Sequence, residues 1–470
     1  MFILFLHIFN YVILLYFLTL ITIYLALNIL SFKRILAYNL DIRYADIQAI
    51  FRIKNYIPVS LIVPAYNESQ GIVESISSLL QLIYPKFQLI VVNDGSKDGS
   101  ISLLTKKFDL VKVNIPLIFK LDCQPILNIY KSKKHQNLVI VDKINGGKAD
   151  AINAGINIAK HPLITVIDAD SILERDCLLK ITKPFLEDDN VLAVGGTIRI
   201  ANGCNINKGH VIEIGLSKSW LARFQVVEYL RAFLFGRTGF DVINGNLIIS
   251  GAFSCFKRDV LVEIGGYRKG SIGEDMEIIL RMHKHFRKIN PKAKITFIPD
   301  PICWTEAPET FKNLRRQRIR WQKGTVESLL IHKKLFMNYH YGLLGIIAFP
   351  YYLFYEAMGP VIEIIGYFVF IISAFLGILS YPFMVAFLSA AILYGIVLSI
   401  LSVVLEELSF KKYTKLSQLF ILFTAAVFEN FGYRQLNVWW RFKGMIEYIF
   451  GKRSWGQMEK KGFSKYNVNN

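Results

Sequence analysis

The sequence predicts an α/β domain built on a mixed, mostly parallel sheet and flanked by transmembrane helices. Three observations carry this. The stretch Leu163–Ile167 is apolar or β-branched throughout, as in a strand buried on both faces of a parallel sheet. Strand, turn and helix follow one another from Val59 to Leu80 and start again at Phe87, the pattern of a doubly wound sheet. The chain is 53% hydrophobic and 14% aromatic, and Met1–Phe32 holds no Lys, Arg, Asp or Glu, the profile of a membrane span.

At 470 residues the chain exceeds one ordinary core. The expected order is a transmembrane helix over 1–32, a juxtamembrane linker over 33–57 and the α/β domain over 58–335. Transmembrane and interfacial helices over 340–437 and a basic cytoplasmic tail over 438–470 complete it. The first apolar run is far longer than the core of a signal peptide, roughly 7–15 residues, and lacks its cleavage site, so it reads as a retained helix. Lys33, Arg34, Arg43, Arg52 and Lys54 follow at once, which puts residue 33 onward on the cytoplasmic side of the cell membrane and the N-terminus outside. Residues 33–56 interleave apolar and basic positions and read equally as a surface-lying segment or a solvated linker.

The net charge of +19 implies an acidic partner. With apolar spans in the same chain, that partner is the lipid bilayer or a phosphorylated substrate, and nucleic acid is not expected. Five scattered cysteines without a Cys-x-x-Cys pair fit free thiols and support neither a zinc site nor a disulfide framework.

Taken in order, Val59–Pro64 reads as the first strand of the domain, and it closes in Ala65-Tyr66-Asn67-Glu68. Asn67 or Ser69 is placed to cap the helix that follows. Phe87–Val92 is a second strand, ending in Asn93-Asp94-Gly95-Ser96. Gly146-Gly147 then allows close backbone approach, and Lys148 opens a helix whose N-terminus favours anions. Leu163–Ile167 runs into Asp168 and Asp170, which a strand places on one side. Two carboxylates that close repel unless a cation lies between them, and Mg²⁺ or Mn²⁺ suits oxygen donors of this kind together with substrate phosphates. An isolated Asp-x-Asp is ordinarily turn chemistry. Three acids at the ends of strands, where doubly wound sheets bind ligands, are harder to explain that way.

These motifs carry a resemblance. Pro64-Ala65-Tyr66-Asn67-Glu68, Asn93-Asp94-Gly95-Ser96, Gly147-Lys148-Ala149-Asp150 and Asp168-Ala169-Asp170, in that order, resemble the inverting family-two glycosyltransferases. More narrowly, the chain resembles the membrane-embedded processive synthases of cellulose, hyaluronan and poly-N-acetylglucosamine. The resemblance implies a GT-A-type (Rossmann-like) domain and a nucleotide-diphosphate sugar donor, usually UDP-linked. It implies donor binding by Pro64, Tyr66, Glu68, Asp94, Lys148 and Asp168, with Asp94 on the uridine base and Lys148 near the phosphates. Asp168 and Asp170 would hold the metal.

The following stretch reads as the acceptor half. Ala193–Arg199 is a further strand, Trp220–Gly236 an aromatic helix with the look of a core face, and Ser250-Gly251-Ala252-Phe253 resembles the family's acceptor-side turn. Gly273-Glu274-Asp275 resembles its Thr-Glu-Asp motif, with Gly273 in place of Thr. A sugar hydroxyl needs a base to take its proton. Asp275 is the candidate catalytic base, and Glu274 is placed either to orient it or to raise its pKa through like-charge proximity. His283 and His285, among Arg281, Lys284, Arg287 and Lys288, read as a solvated basic face. Ile295–Ile298 is another strand. Gln317, Arg320 and Trp321 match the Gln-x-x-Arg-Trp motif of the processive branch. A planar Arg suits a diphosphate, and a Trp face suits an acceptor sugar. Arg315, Arg316 and Arg318 read as a basic cluster meeting anionic lipid.

The C-terminal third is apolar again over Tyr341–Ser380, Phe383–Leu405 and Leu416–Phe428, with breaks expected at Gly359-Pro360 and Tyr381-Pro382. Whether the first run crosses once or twice is open. Glu356 and Glu363 interrupt it and are expected to face protein, polymer or the interface. Lysines 411, 412 and 415 and the basic tail (Arg441, Lys443, Lys452, Arg453, Lys460, Lys461) both ask for the cytoplasmic side. Either Leu416–Asn437 lies partly in the interface or the loop breaks the charge rule. Trp439, Trp440 and Trp455 suit a headgroup-level belt.

Three functions are compatible with this reading. One is metal-dependent extension of a β-linked polysaccharide from UDP-GlcNAc or UDP-Glc, with room for an accessory membrane subunit. The second is transfer of one sugar to a lipid-linked acceptor. The third is a nucleotide-binding transporter or scaffold, which leaves Asp275 and the Gln-x-x-Arg-Trp residues unexplained.

Overall fold

The computed structural model describes residues 2–44, 56–116 and 118–452. Arg52, Lys54, Arg453, Trp455, Lys460 and Lys461 lie outside the described residues. The chain divides into two compact units: an α/β unit from Leu40–Ser217 and Asn246–Ala307, and a helical unit from Met1–Asn39, Lys218–Gly245 and Pro308–Met458.

In chain order the α/β unit contains β1 (Val59–Ala65), α1 (Ile72–Leu79), β2 (Phe87–Asp94), α2 (Ser100–Phe108), β3 (Leu110–Lys112), β4 (Ile126–Ser132) and β5 (Leu138–Lys143). It continues through α3 (Lys148–Ile158), β6 (Leu163–Ile167), β7 (Ile172–Leu173), α4 (Cys177–Glu187), β8 (Val191–Ile200) and a small hairpin of β9 (Asn205–Asn207) and β10 (His210–Glu213). It ends with β11 (Phe253–Lys257), α5 (Arg258–Glu263), α6 (Glu274–Ile289) and β12 (Lys294–Thr305).

Among the described residues ten strands form one sheet in the order β3-β4-β5-β2-β1-β6-β11-β8-β12-β7. Only β4, β7 and β11 run against the other seven, which makes the sheet mixed and mostly parallel. The central block β5-β2-β1-β6 is parallel throughout. All five residues of β6 are buried, as its unbroken β-branched run requires. The carboxyl ends of this block form one edge, carrying Asp94, Lys143 and Asp168, and antiparallel β11 starts at that edge with Phe253 opposite Ile167. Ile62, Ile90, Val141 and Ile164 from the strands pack with Ile152 and Ile156 of α3 and Ile278 of α6 in the core.

Several elements depart from expectation. The α1 helix starts at Ile72 behind Gly71 and has no side-chain cap. Asn67 and Ser69 instead tie the β1 loop to the β2 loop, where Lys97 N donates to Asn67 Oδ1 at 2.9 Å and Ser69 N to Asp98 Oδ2 at 2.7 Å. Strand β12 runs to Thr305, beyond Ile298, because it pairs alongside β8 as far as Ile200. On α6, His283 and Arg287 are buried and do not belong to a solvated face, because His283 Nε2 donates to the carbonyl of Asn246 at 2.9 Å. His285 is exposed and pairs with Glu263.

The N-terminal helix runs Phe2–Tyr44, and the helical unit takes it as far as Asn39. Nothing between residues 32 and 44 breaks a helix, and Arg34 pairs with Asp241 at 3.4 Å. Among the described residues two helices are long and apolar enough to cross a membrane, Ile3–Leu40 and Tyr381–Ser409. Leu344–Ala357 and Gly359–Phe375 form a further pair bent by 49°. The bend falls at Gly359-Pro360, where proline removes a ladder donor. Leu416–Phe428 has 13 residues, short of the roughly 20 a spanning helix needs. The interrupting carboxylates face protein: Glu356 pairs with Arg441 at 2.9 Å and Glu363 with Arg434 at 3.9 Å. Arg231 pairs with Glu429, which also accepts from Ser399. Trp439 is exposed, whereas Trp440 packs with Leu221, Leu314 and Tyr433 and so leaves the expected belt.

Candidate active site at the strand ends

Asp94 closes β2 and is only 3% exposed. Its Oδ1 accepts from Lys143 Nζ at 2.6 Å and from Gly146 N at 3.0 Å, and its Oδ2 from Gly147 N at 2.8 Å. The carboxylate therefore holds the glycine turn that precedes α3. The turn needs its glycines: a Cβ on Gly146 would lie 2.5 Å from Asp150 Cγ, and Gly147 has φ +87°.

One residue past the turn, Lys148 Nζ lies 2.6 Å from Asp168 Oδ1, 3.4 Å from Glu274 Oε1 and 3.4 Å from the carbonyl of Gly251. Burial would lower the Lys148 pKa, but Asp168, Glu274 and Asp275 more than offset it and hold the ammonium charged well above the usual lysine range. Asp275 joins the cluster from the start of α6, since a Cβ on Gly251 would stand 3.2 Å from Asp275 Oδ2. The buried Tyr267 hydroxyl reports the same gathering: burial, then Glu274, Asp275 and Asp168, push its pKa up. Asp170 and Asp168 both act on Cys303, whose thiol burial pushes up. Asp168, Glu274, Asp275 and Lys148 are thus brought together, and Asp94 is joined to them through its turn.

Pro64 lies in β1 opposite Val92. Tyr66 is exposed at the head of the β1 loop, and Glu68 turns the chain into α1 by accepting from Gly71 N and Ile72 N through its carbonyl. The loop is pinned at Asn67, with φ +55° and its N–H on Ser96 Oγ at 3.0 Å.

Gln317, Arg320 and Trp321 lie in the helical unit, on the helix Phe311–Ile331. Gln317 and Trp321 share a face by their four-residue spacing. Gln317 is buried, and its Oε1 has no hydrogen-bond partner among the described residues. Trp321 is 40% exposed, with the Arg318 guanidinium 4.5 Å above its ring. Arg318 is not a lipid-facing charge. It is buried and binds Glu228 with both nitrogens, each at 2.8 Å.

Sequence reasoning gave no role to Lys143, Asp150, Asn153 or Asn157. Asp150, Asn153 and Asn157 recur at helical spacing on an otherwise apolar α3, and all are buried. A polar stripe on a helix with no solvated face was the available signal.

Among the described residues no three His, Cys, Asp or Glu side chains converge for a metal. Asp168 and Asp170 supply hard oxygen donors at a strand end. This fits an ion of the Mg²⁺ type, which binds one or two carboxylates and completes its shell with phosphates and water.

An α/β sheet whose parallel strand ends collect acids around one lysine defines a ligand-binding domain of the doubly wound class. Residues 126–324 match the family model described as glycosyltransferase like family 2, and residues 60–119 the model for glycosyl transferase family 2. Together these stretches cover more than half of the chain, and it belongs to the family 2 glycosyltransferases. Residues 271–464 also match the chitin synthase model. The chain is 28% identical over 273 residues to the poly-β-1,6-N-acetyl-D-glucosamine synthase of Staphylococcus epidermidis, covering 58% of this chain and 55% of the relative. It is 29% identical to that of Staphylococcus aureus strain COL with the same coverage. The chain thus spans about half the length of the curated relatives it matches. The mannosyltransferase PcManGT from Pyrobaculum calidifontis, solved with GDP-Man and Mn²⁺, shares the fold at a TM-score of 0.50 and 19% identity, over 88% of this chain and 99% of that one.

Proposed function

We propose that this protein is a membrane glycosyltransferase that moves a sugar from a nucleotide-diphosphate donor, UDP-GlcNAc or UDP-Glc, to a growing β-linked polysaccharide. The observation that carries the reading is Lys148, whose ammonium joins the Asp-x-Asp acid Asp168 to Glu274, the neighbour of the candidate base. The names of the staphylococcal relatives support the product class.

The acceptor hydroxyl gives its proton to Asp275 as its oxygen attacks the anomeric carbon, and the bond to the diphosphate breaks on the opposite side. An α-linked donor thereby yields a β-linked product. Lys148 neutralises charge on the departing diphosphate. Asp168 and Asp170 would hold Mg²⁺ or Mn²⁺, which supplies further charge neutralisation at the phosphates. The Mn²⁺ bound in the mannosyltransferase neighbour supports this choice. Gln317, Arg320 and Trp321 act as the acceptor and diphosphate clamp. The apolar helices hold the enzyme in the cell membrane, with the donor site on the cytoplasmic side.

The test is purified protein incubated with labelled sugar nucleotides and Mg²⁺ or Mn²⁺, with products sized by mass spectrometry. A ladder of added sugars is expected. A single addition to lipid would replace the polymerase reading, and no turnover of any donor would remove the enzyme.

A further inference from the structure

The deepest ion pair of the α/β unit lies behind the candidate active site. Asp150 is fully buried on α3 and uses both oxygens: Oδ1 lies 2.7 Å from Lys143 Nζ and Oδ2 lies 3.1 Å from Lys269 Nζ. Gln124 N donates to the same carboxylate at 3.0 Å. Lys143, equally buried, passes the link to Asp94 and so to the turn before Lys148. Lys269 lies on the opposite flank, in the segment that leads into Gly273-Glu274-Asp275.

That segment is fastened at three points. Arg281 donates to the carbonyls of Ile264 and Gly266 at 2.8 and 2.7 Å. Asn153, one turn past Asp150 on α3, accepts from Tyr267 N at 2.7 Å and donates to Tyr267 O at 2.9 Å. Gly266 has φ +69°, and a Cβ there would come 2.5 Å from Asn153 Oδ1, so the backbone needs glycine to reach the amide. Lys269 on Asp150 is the third fastening. Its other partner, Asp122, is closer at 2.7 Å but 89% exposed. An exposed pair contributes little, whereas a pair made to a fully buried carboxylate is poorly screened.

We propose that α3 sets the register between the two halves of the site: Asp150, gripped by Lys143 from the Lys148 side and by Lys269 from the Asp275 side, holds the candidate base at working distance from the donor. Lys269 is on this account a positioning residue for transfer. The inference rests on the glycosyltransferase reading above. It predicts that loosening Lys269 leaves nucleotide binding intact but misplaces the base, and a misplacement of about 1 Å costs on the order of a hundredfold in rate.

The experiment uses the full chain in detergent or nanodiscs, with UDP-N-acetylglucosamine and Mg²⁺ (or whichever sugar nucleotide the unaltered protein turns over). Three quantities are read: the Kd for UDP, kcat for transfer, and the ratio of sugar transferred to donor hydrolysed. Lys269 is one-third exposed, so Lys269→Gln opens no cavity, and an unchanged melting temperature confirms the fold. Lys269→Gln is expected to keep the UDP Kd within about twofold, lower kcat roughly tenfold to a hundredfold and shift the ratio toward hydrolysis. Lys269→Arg restores most of kcat, and Asp122→Asn changes none of the three quantities beyond about twofold. The proposal is overturned if Lys269→Gln keeps its kcat and ratio, or if kcat falls only in step with UDP affinity. If the unaltered protein turns over no sugar nucleotide, the parent reading fails and takes the inference with it, a result visible before any variant is made.

Discussion

Lys148 Nζ sits 2.6 Å from Asp168 Oδ1, so the first acid of the Asp-x-Asp pair is neutralised by the chain itself. The same ammonium reaches Glu274, and the surrounding carboxylates keep it protonated against the opposing effect of burial. On the proposed reading, a donor diphosphate with its divalent ion would meet a lysine that is already charged.

Lys148→Met should have two separable effects. Transfer falls by about 10²–10³, the usual loss when one donor to a developing charge is removed. Binding of Mn²⁺ to the donor-free protein tightens, because Asp168 no longer shares its charge with an ammonium. Electron paramagnetic resonance titration reads the second effect directly. An unchanged Mn²⁺ affinity would show that Asp168 is not a metal ligand.

Asp275→Asn removes the proposed base without altering shape. Transfer should fall by roughly 10²–10⁴, with the UDP Kd held within about twofold because Lys148 and the Asp94 turn are untouched. Near-normal transfer in that variant would take Asp275 out of the mechanism. Glu274→Gln loosens Lys148 as well, so it should weaken donor binding and turnover together.

The strands and turns that carry the candidate donor residues were legible in the sequence because they are local signals. β6 lies over Leu163–Ile167 as its β-branched run requires, and Lys148 does open a helix behind two glycines. What stayed hidden depends on pairing across distance. Nothing near Arg318 announces Glu228, ninety residues away, and a cluster of arginines on a helix reads as a solvated face until a partner is seen. His283 was misread for the same reason, since its partner is a backbone carbonyl at Asn246. The motif around Asp94 gives no sign that Lys143 and two backbone N–H groups, which only the fold brings within reach, donate to its oxygens.

Arg318 supplies a test between the two readings of its cluster. A lipid-facing arginine tolerates lysine, since both carry the charge. An arginine bound to Glu228 through both nitrogens and stacked on Trp321 does not, because lysine offers neither the fork nor the plane. Arg318→Lys should lower the thermal midpoint of the detergent-solubilised protein and cost about 1.5–3 kcal/mol, the range of a charge-assisted bond. Arg315→Lys, at an exposed position, should shift it by less than about 0.5 kcal/mol. Equal, small shifts in both would restore the lipid reading.

His283 sets a pH limit on the α/β unit. Burial holds its pKa well below the ordinary histidine value, with Arg287 adding to the effect. In the unfolded chain the ring titrates near about 6.5. Below that pH the unfolded state binds a proton that the folded state refuses, so stability falls as pH falls, by up to about 1.4 kcal/mol per unit. Above about pH 7.5 the ring is neutral in both states and contributes no slope. The depressed carboxyls of Asp98 and Asp150 act only below about pH 4, so they leave the window between 5 and 7 clear. His161 and His210 are also lowered by burial, but they are common to both proteins compared. His283→Gln keeps an N–H for the Asn246 carbonyl and removes the titration. Melting temperatures taken from pH 5 to 7.5 should fall less steeply on acidification for the variant than for the unaltered protein, and parallel profiles would show that His283 is protonated in the fold.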